Sequence, residues 1–283
     1  MISVIVLHHD KVEYSRACLQ SLLRSSARPL EVINVDNGSH DSTPQMLDEW
    51  EASAQAAGIE TQRLRFETNI GAVRGRNVAM EKARGQHIVF LDNDTIVAQQ
   101  NWLEALRDFL EADASRAIVA PKMLFPWEPY LIECCGCGVS PRGRIQYIGR
   151  GEARDSCLEP RQVQCAISAA WMMTRALYEK LGPLDEVYSP VQYEDLDYCY
   201  RARMEGHQVW VQPAVELYHF EHTTTALSED INFKYVTTKN GVTFKKRWGA
   251  VIEGENGPDE SQTQWASIPK RRIEEVDWQT LLP

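Results

Sequence analysis

Through the first 120 residues, short apolar runs alternate with stretches of helical periodicity, and nothing else in the chain restricts its fold as strongly. Residues 2–7 form a continuous apolar, largely β-branched run of strand length. Residues 14–23 follow with Cys18/Leu22 and Leu19/Leu23 stacked at i, i+4, and residues 30–35 repeat the apolar run. Thr43-Pro44 opens a second helix with proline at its first position, Met46, Leu47 and Trp50 give it an apolar stripe, and Gly58 ends it. Strands near 61–66, 87–91 and 117–120, with helices over 73–83 and 102–110, complete the series. Such an order requires right-handed crossovers, so the expected class is α/β with a mainly parallel mixed sheet flanked by helices. Ligands of these sheets bind beyond the carboxyl ends of the strands. That rule singles out His8-His9-Asp10, the segment 36–41 and Asp92-Asn93-Asp94.

The 283 residues carry 30 basic and 40 acidic side chains, a net charge of −10 that repels a phosphate backbone, so nucleic acid is not an expected partner. No apolar stretch nears the ~20 residues of a membrane span. Met1 leads straight into the apolar run without a basic region or cleavage site, so the expectation is a soluble, intracellular protein. In that setting the seven cysteines read as mostly reduced thiols. Cys134, Cys135 and Cys137 cluster, and with Cys157 and Cys165 they could supply four zinc ligands, but the second pair lacks the usual spacing. Small buried thiols in a glycine-rich turn are the plainer reading.

Beyond residue 120 the alternation fails. Residues 121–162 are rich in Gly, Pro, Cys and Arg and read as a β-rich or irregular insertion. An apolar run over 164–173, helices over 175–181 and 194–205, short strands at 209–211 and 215–218 and a helix over 231–248 follow. The tail from residue 249 offers no recognisable chemistry, and Lys270-Arg271-Arg272 reads as a solvated basic run.

Several segments have both a bland and a chemical reading. Asp92 and Asp94 share one side at a strand end, where two carboxylates repel unless a cation such as Mg²⁺ or Mn²⁺ intervenes. The bland alternative is a solvated turn. Asp36, ending its strand, could accept hydrogen bonds from a nucleobase or ribose, or the segment could simply cap the next helix. Arg74 and Arg76 near a helix N-terminus favour a diphosphate, or are a solvated face. Glu194-Asp195-Leu196-Asp197 opens a helix, where acids are expected from the macrodipole alone, though the same dipole readies Asp195 to accept a proton. His219 and His222 are surface or core histidines, or His219 is a third metal ligand.

Taken in order, these segments resemble the family 2 glycosyltransferases of GT-A fold. The resemblance rests on residues 2–6, the series 35–43, Asn69-Ile70-Gly71 with Arg76-Asn77, and Phe90-Leu91-Asp92-Asn93-Asp94. It resumes at Gly182-Pro183-Leu184-Asp185-Glu186, Tyr193-Glu194-Asp195-Leu196-Asp197 with Arg201, and His219. It implies an inverting, metal-dependent transferase of hexosyl or deoxyhexosyl type, moving a sugar from a UDP-, dTDP- or GDP-linked donor to a saccharide or lipid-linked acceptor. In that reading Asp36 holds the base, Arg76 assists base or phosphate, Asp92 binds ribose or a metal-linked water, and Asp94 coordinates Mn²⁺ or Mg²⁺ directly. His219 completes the metal site, Asp195 is the catalytic base and Glu194 its fallback. Where the family usually carries a Thr-Tyr-Asn-like segment this chain has His8-His9-Asp10, which gives His8 the donor-side position.

The implied division is a nucleotide-sugar half over 1–120, an acceptor and base half over 121–248, and a C-terminal extension over 249–283. Polysaccharide assembly in the cytoplasm, with a peripheral contact at the inner membrane face left open, is the matching association. Thr223-Thr224-Thr225 is expected to close over bound donor. Two other classes are a sugar nucleotidyltransferase, disfavoured because no glycine follows the first strand, and a silent sugar-nucleotide or glycan-binding module.

Overall fold

The computed structural model describes residues 1–221 and 232–283. Thr223-Thr224-Thr225, His222 and the first residue of the expected last helix therefore lie outside the described residues. The N-terminal half follows the alternation: β1 (Ile2–His8), α1 (Val12–Leu23), β2 (Leu30–Asn37), α2 (Thr43–Ala56), β3 (Ile59–Phe66), α3 (Ala72–Lys82), β4 (His87–Asp92), β5 (Thr95–Val97), α4 (Trp102–Glu111) and β6 (Arg116–Leu124). The insertion contributes β7 (Ile132–Cys134), β8 (Cys137–Val139), β9 (Ile145–Tyr147) and β10 (Arg161–Val163). Then come β11 (Ala170–Thr174), α5 (Arg175–Leu181), α6 (Glu194–Met204), β12 (Gln208–His219) and α7 (Phe233–Glu253).

Among the described residues the main sheet runs β10-β12-β6-β11-β4-β1-β2-β3, with β5 on β12 and β7 on β6, while β8 and β9 form a separate hairpin. The parallel pairing expected from the alternation holds from β3 through β4. Past β4 the sheet is mixed: β11 is antiparallel to both β4 and β6, and β12 runs parallel to β6. The two short strands expected at 209–211 and 215–218 are one strand, β12, with a register irregularity between Gln212 and Glu216. Strand β1 is buried on both faces, as a central parallel strand must be, and Val4, Ile5, Phe90 and Leu91 lie in the core.

Register decides what meets at the sheet edge. Leu7 lies opposite Asp92 and His8 opposite Asp36, so β1, β2 and β4 end together. The antiparallel pairing of β12 with β5 sets His219 opposite Thr95, and the Phe220 amide donates to the Asp94 carbonyl at 3.0 Å. A residue 125 positions later in the chain is thereby delivered to the Asp92-Asn93-Asp94 turn.

The expectation of mostly reduced thiols is corrected at one pair: Cys135 and Cys157 form a disulfide that closes the insertion. Cys18, Cys134, Cys137, Cys165 and Cys199 are buried thiols, with the Cys134 and Cys137 sulfurs 3.8 Å apart. Using Cys135 and Cys157 in the disulfide removes two of the five candidate zinc ligands. The C-terminal extension folds back across the molecule: the Ile273 amide donates to the Tyr14 hydroxyl at 3.1 Å, and Ile273 and Leu281 are buried. No described helix is long and apolar enough to cross a membrane.

Candidate active site

The motif after β2 and the one before α3 are two sides of one joint. The Asn37 side chain donates to Asn69 Oδ1 at 2.8 Å and accepts from the Ile70 amide at 2.9 Å. Gly71 has φ +86°, and a Cβ there would sit 2.7 to 2.9 Å from Pro190 atoms, so only glycine allows the start of α3 to touch the loop that leads into α6. The Val73 amide donates to the Pro190 carbonyl at 3.1 Å. This contact brings α3 and the Tyr193-Glu194-Asp195 segment to opposite walls of one cleft of about 570 Å³.

On the sheet side of the cleft, Asp92, Asp94 and His219 each offer one ligand atom, all within 4.8 Å of one another. His219 Nε2 lies 3.2 Å from Asp94 Oδ1, and Nδ1 lies 2.8 Å from Oε2 of the buried Glu133 on β7. A carboxylate on Nδ1 fixes the ring so that Nε2 faces the two aspartates. Burial works against the charged imidazolium, but Glu133 and Asp94 outweigh it and raise the His219 pKa well above its ordinary value. Burial also raises the Asp92 pKa, with Arg76 opposing and Asp94 adding to the shift. The protein's own groups therefore gather negative charge in a low-dielectric corner, where a cation would relieve it.

Arg76 is nearly buried and ties both walls together. It reaches Asp92 at 2.5 Å and Glu194 at 3.2 Å, donates to the Ser168 hydroxyl at 2.7 Å, and lies 5.1 Å over the Phe90 ring. Asp195, half-buried at the first turn of α6, accepts from the Ser168 amide at 3.1 Å and the Leu196 amide at 2.8 Å. Burial raises its pKa, and those two amides work against the rise. Glu194 is pushed up to about 8 by burial and by the Asp195 charge beside it, more than Arg76 compensates. The two neighbours therefore share one strained charge: burial raises both carboxyls, Arg76 engages Glu194, and the Ser168 and Leu196 amides favour the ionised form of Asp195.

The structure brings Arg76, Asp92, Asp94, Glu194, Asp195 and His219 to this single cleft. Asp36 is at the same edge but enclosed. One oxygen accepts from the Ser39 amide at 2.9 Å, and the other has no hydrogen bond, with half-exposed Arg65 3.6 Å away. His8 is not on the cleft wall. Its ring is buried between the Ser15 hydroxyl at 2.9 Å and Asn34 at 3.2 Å, and burial lowers its pKa to about 4. Its neighbours Leu7 and His9 line the cleft instead, and His9 Nδ1 lies 3.0 Å from the Asn37 carbonyl. Strand alternation, which sets His8 with buried Val4 and Val6, was the signal that separates them. Glu133, Tyr147 and Trp265 also border the cleft, and no motif in the sequence marks any of them.

With the geometry in hand, comparison with known proteins gives a consistent result. The model of the family described as Glycosyl transferase family 2 matches residues 3–182, a stretch that ends before Asp195 and His219. An uncharacterized Sinorhizobium fredii protein, y4gI, is 26% identical over 88% of this chain and 27% of its own length. Glycosyltransferase GlyG of Streptococcus pneumoniae is 30% identical over 42% of this chain and 38% of its own. The chain thus matches well under half the length of either relative. Among solved structures, GalNAc-T7 with UDP, GalNAc and Mn²⁺ superposes with TM-score 0.65 at 18% identity, over 77% of this chain and 43% of that one. A Staphylococcus aureus TarS fragment with UDP-GlcNAc gives TM-score 0.60 at 20% identity, over 93% and 69%. The Pyrobaculum calidifontis mannosyltransferase PcManGT with GDP-Man and Mn²⁺ gives 0.60 at 17%, over 91% and 65%. Both likenesses to metal-bound transferases concern the fold.

Proposed function

The chain belongs to glycosyl transferase family 2, and from that premise we propose that it moves a sugar from a nucleotide diphosphate to an acceptor hydroxyl with inversion at the anomeric carbon. The observation that carries the reading is the pairing across one cleft of the Asp92, Asp94 and His219 cluster with the half-buried Asp195 carboxylate. Two carboxylates and an imidazole fixed by Glu133 suit a divalent cation such as Mn²⁺, or Mg²⁺. When bound, that ion supplies Lewis-acid neutralisation of the diphosphate leaving group.

The chain's own groups do the rest. Asp36, whose second oxygen is buried without a hydrogen bond, is assigned to the nucleobase, with Arg65 the side chain that would have to yield. Arg76 holds Asp92 in place and adds positive charge beside the diphosphate. Asp195 receives the proton of the acceptor hydroxyl, and the Ser168 and Leu196 amides keep its carboxylate aimed and ionised. Glu194, pushed up to about 8 and held by Arg76, flanks that carboxylate and is turned toward Arg76 rather than toward the acceptor. The reaction is assigned to the cytoplasm, and a lipid-linked acceptor would be presented at the inner membrane face.

Product analysis tests this reading. Incubation with Mn²⁺, a panel of UDP-, dTDP- and GDP-sugars and saccharide acceptors is expected to release nucleoside diphosphate. Release of pyrophosphate would make the chain a nucleotidyltransferase, and nucleotide-sugar binding without turnover would make it a binding module.

A further inference from the structure

Past Asp195 the cleft continues between three segments distant in sequence: the β9 edge, the start of α7 and the C-terminal extension. Tyr147 and Trp265 meet there edge to face, ring centroids 5.0 Å apart at 68°. Trp265 is 53% exposed, an unusual setting for an indole, yet it is held firmly. The Arg150 guanidinium lies 3.9 Å over one of its faces, and Arg150 Nε donates to the Ala266 carbonyl at 2.9 Å. Arg150 is itself buried in an ion pair with Glu221 at 2.9 Å, and Lys270 reaches the Glu221 carbonyl at 3.2 Å. The extension is therefore clamped so that one indole face is capped by a cation and the exposed remainder borders the cleft.

We propose that Tyr147 and Trp265 form a platform for the pyranose ring of an uncharged saccharide acceptor, whose reacting hydroxyl then reaches Asp195. The proposal rests on the transferase reading and adds the acceptor class to it. A pyranose offers one face of polarised C–H bonds that lies against the negative face of an aromatic ring, while its hydroxyls point sideways to polar groups. Thr263 and Arg144 stand at the same end of the cleft for those hydroxyls. Charge disfavours an anionic acceptor: the reacting hydroxyl must approach the Asp195 carboxylate, and Arg76 on that wall is already engaged by Asp92 and Glu194.

Saturation-transfer NMR in the presence of UDP and Mn²⁺ tests the platform. The probes are the methyl pyranosides of glucose, galactose, mannose and N-acetylglucosamine, with glycerol phosphate as the ring-free anion. At least one pyranoside is expected to receive saturation concentrated on the C–H protons of one ring face. Trp265→Ala is expected to weaken that binding roughly tenfold or more, while Trp265→Phe keeps most of it. An absent pyranoside signal, one unchanged in Trp265→Ala, or preferential binding of glycerol phosphate would overturn the proposal. Calorimetry with UDP, dTDP and GDP in the presence of Mn²⁺ on the unsubstituted chain separates the two claims. Nucleotide binding without a Trp265-dependent pyranoside signal sinks the platform alone, whereas pyranoside binding through Trp265 with no nucleotide binding sinks the transferase reading and leaves a saccharide site.

Discussion

The two walls of the cleft are built on different principles. On the wall proposed for the donor, side chains stand at the ends of parallel strands: Asp36 near the end of β2 and Asp92 as the last residue of β4, aligned through β1 by backbone register. On the wall proposed for the acceptor they come from a hairpin, a loop and a tail, brought together by side-chain contacts such as Arg150 with Glu221, 71 residues apart. A strand end is positioned by the sheet as a whole, so one substitution disturbs it little. A clamp made of one buried ion pair and one capped indole depends on each member. The geometry of the first wall is thus a property of the fold, while that of the second is a property of particular residues.

The largest effect tests whether the two walls act on one reaction. Asp195→Asn keeps the size and the acceptor oxygen at the start of α6 but removes the base. Transfer is expected to fall by about 10² to 10⁴-fold, with nucleoside diphosphate affinity, read by calorimetry with Mn²⁺, nearly unchanged. Unaltered turnover would detach Asp195 from the chemistry and leave the cleft with a donor wall only.

What the sequence revealed divides along the same line. Asp92, Asp94 and His219 could be picked out because each follows an apolar run, and strand ends are where parallel sheets place chemistry. Asp195 was found through its helix start. Glu133, Tyr147 and Trp265 were invisible because what puts them on the cleft is a hairpin closure and a returning tail, neither of which leaves a periodic trace. The Cys135 to Cys157 disulfide belongs to the same insertion, and a 22-residue separation without motif spacing gave no ground for choosing that pair. The one misplacement on the donor side, His8, came from weighing position over alternation: His8 shares a strand face with Val4 and Val6, all three fully buried.

Breaking the clamp is the next largest effect. Arg150→Met takes from the buried Glu221 carboxylate its partner at 2.9 Å and leaves Lys270 at 3.8 Å, and removal of one partner of a buried pair typically costs up to about 3 to 5 kcal/mol. Denaturant unfolding is expected to show that loss, while Arg16→Met, whose partners Glu13 and Glu49 are exposed, shifts stability by less than about 1 kcal/mol. Equal effects would erase the distinction between a clamped and a register-built wall. The donor half has its own signature, in pH. Above 6.5 His8 is neutral in both states; below it the unfolded chain takes up a proton that the folded chain refuses until about 4. Stability is therefore lost progressively as pH falls from 6.5 to about 4, by about 3 kcal/mol from this group. His8→Gln, which retains hydrogen-bonding groups for Ser15 and Asn34 without titrating, is expected to flatten that segment of the stability profile. An unchanged acid limb would mean that other groups set it.

The smallest effect probes the one place where the two building principles meet. Glu133 belongs to the insertion, yet its carboxylate holds Nδ1 of a residue that faces the donor-side aspartates. Glu133→Gln preserves shape and a hydrogen-bonding oxygen but weakens the charge that fixes the His219 ring. Divalent-cation affinity, titrated calorimetrically with Mn²⁺ and UDP, is expected to fall by about 10 to 100-fold, the usual consequence of altering such a partner. Any loss of thermal stability is expected to be smaller than that of Arg150→Met, because the amide oxygen can keep the Nδ1 contact and the substitution removes a carboxylate that burial disfavours. If the affinity is unmoved, the metal site is complete from β4 and β12 alone and the insertion serves only the acceptor. If it falls as expected, changes in the acceptor-side insertion are transmitted to donor binding, and the two walls cannot vary independently.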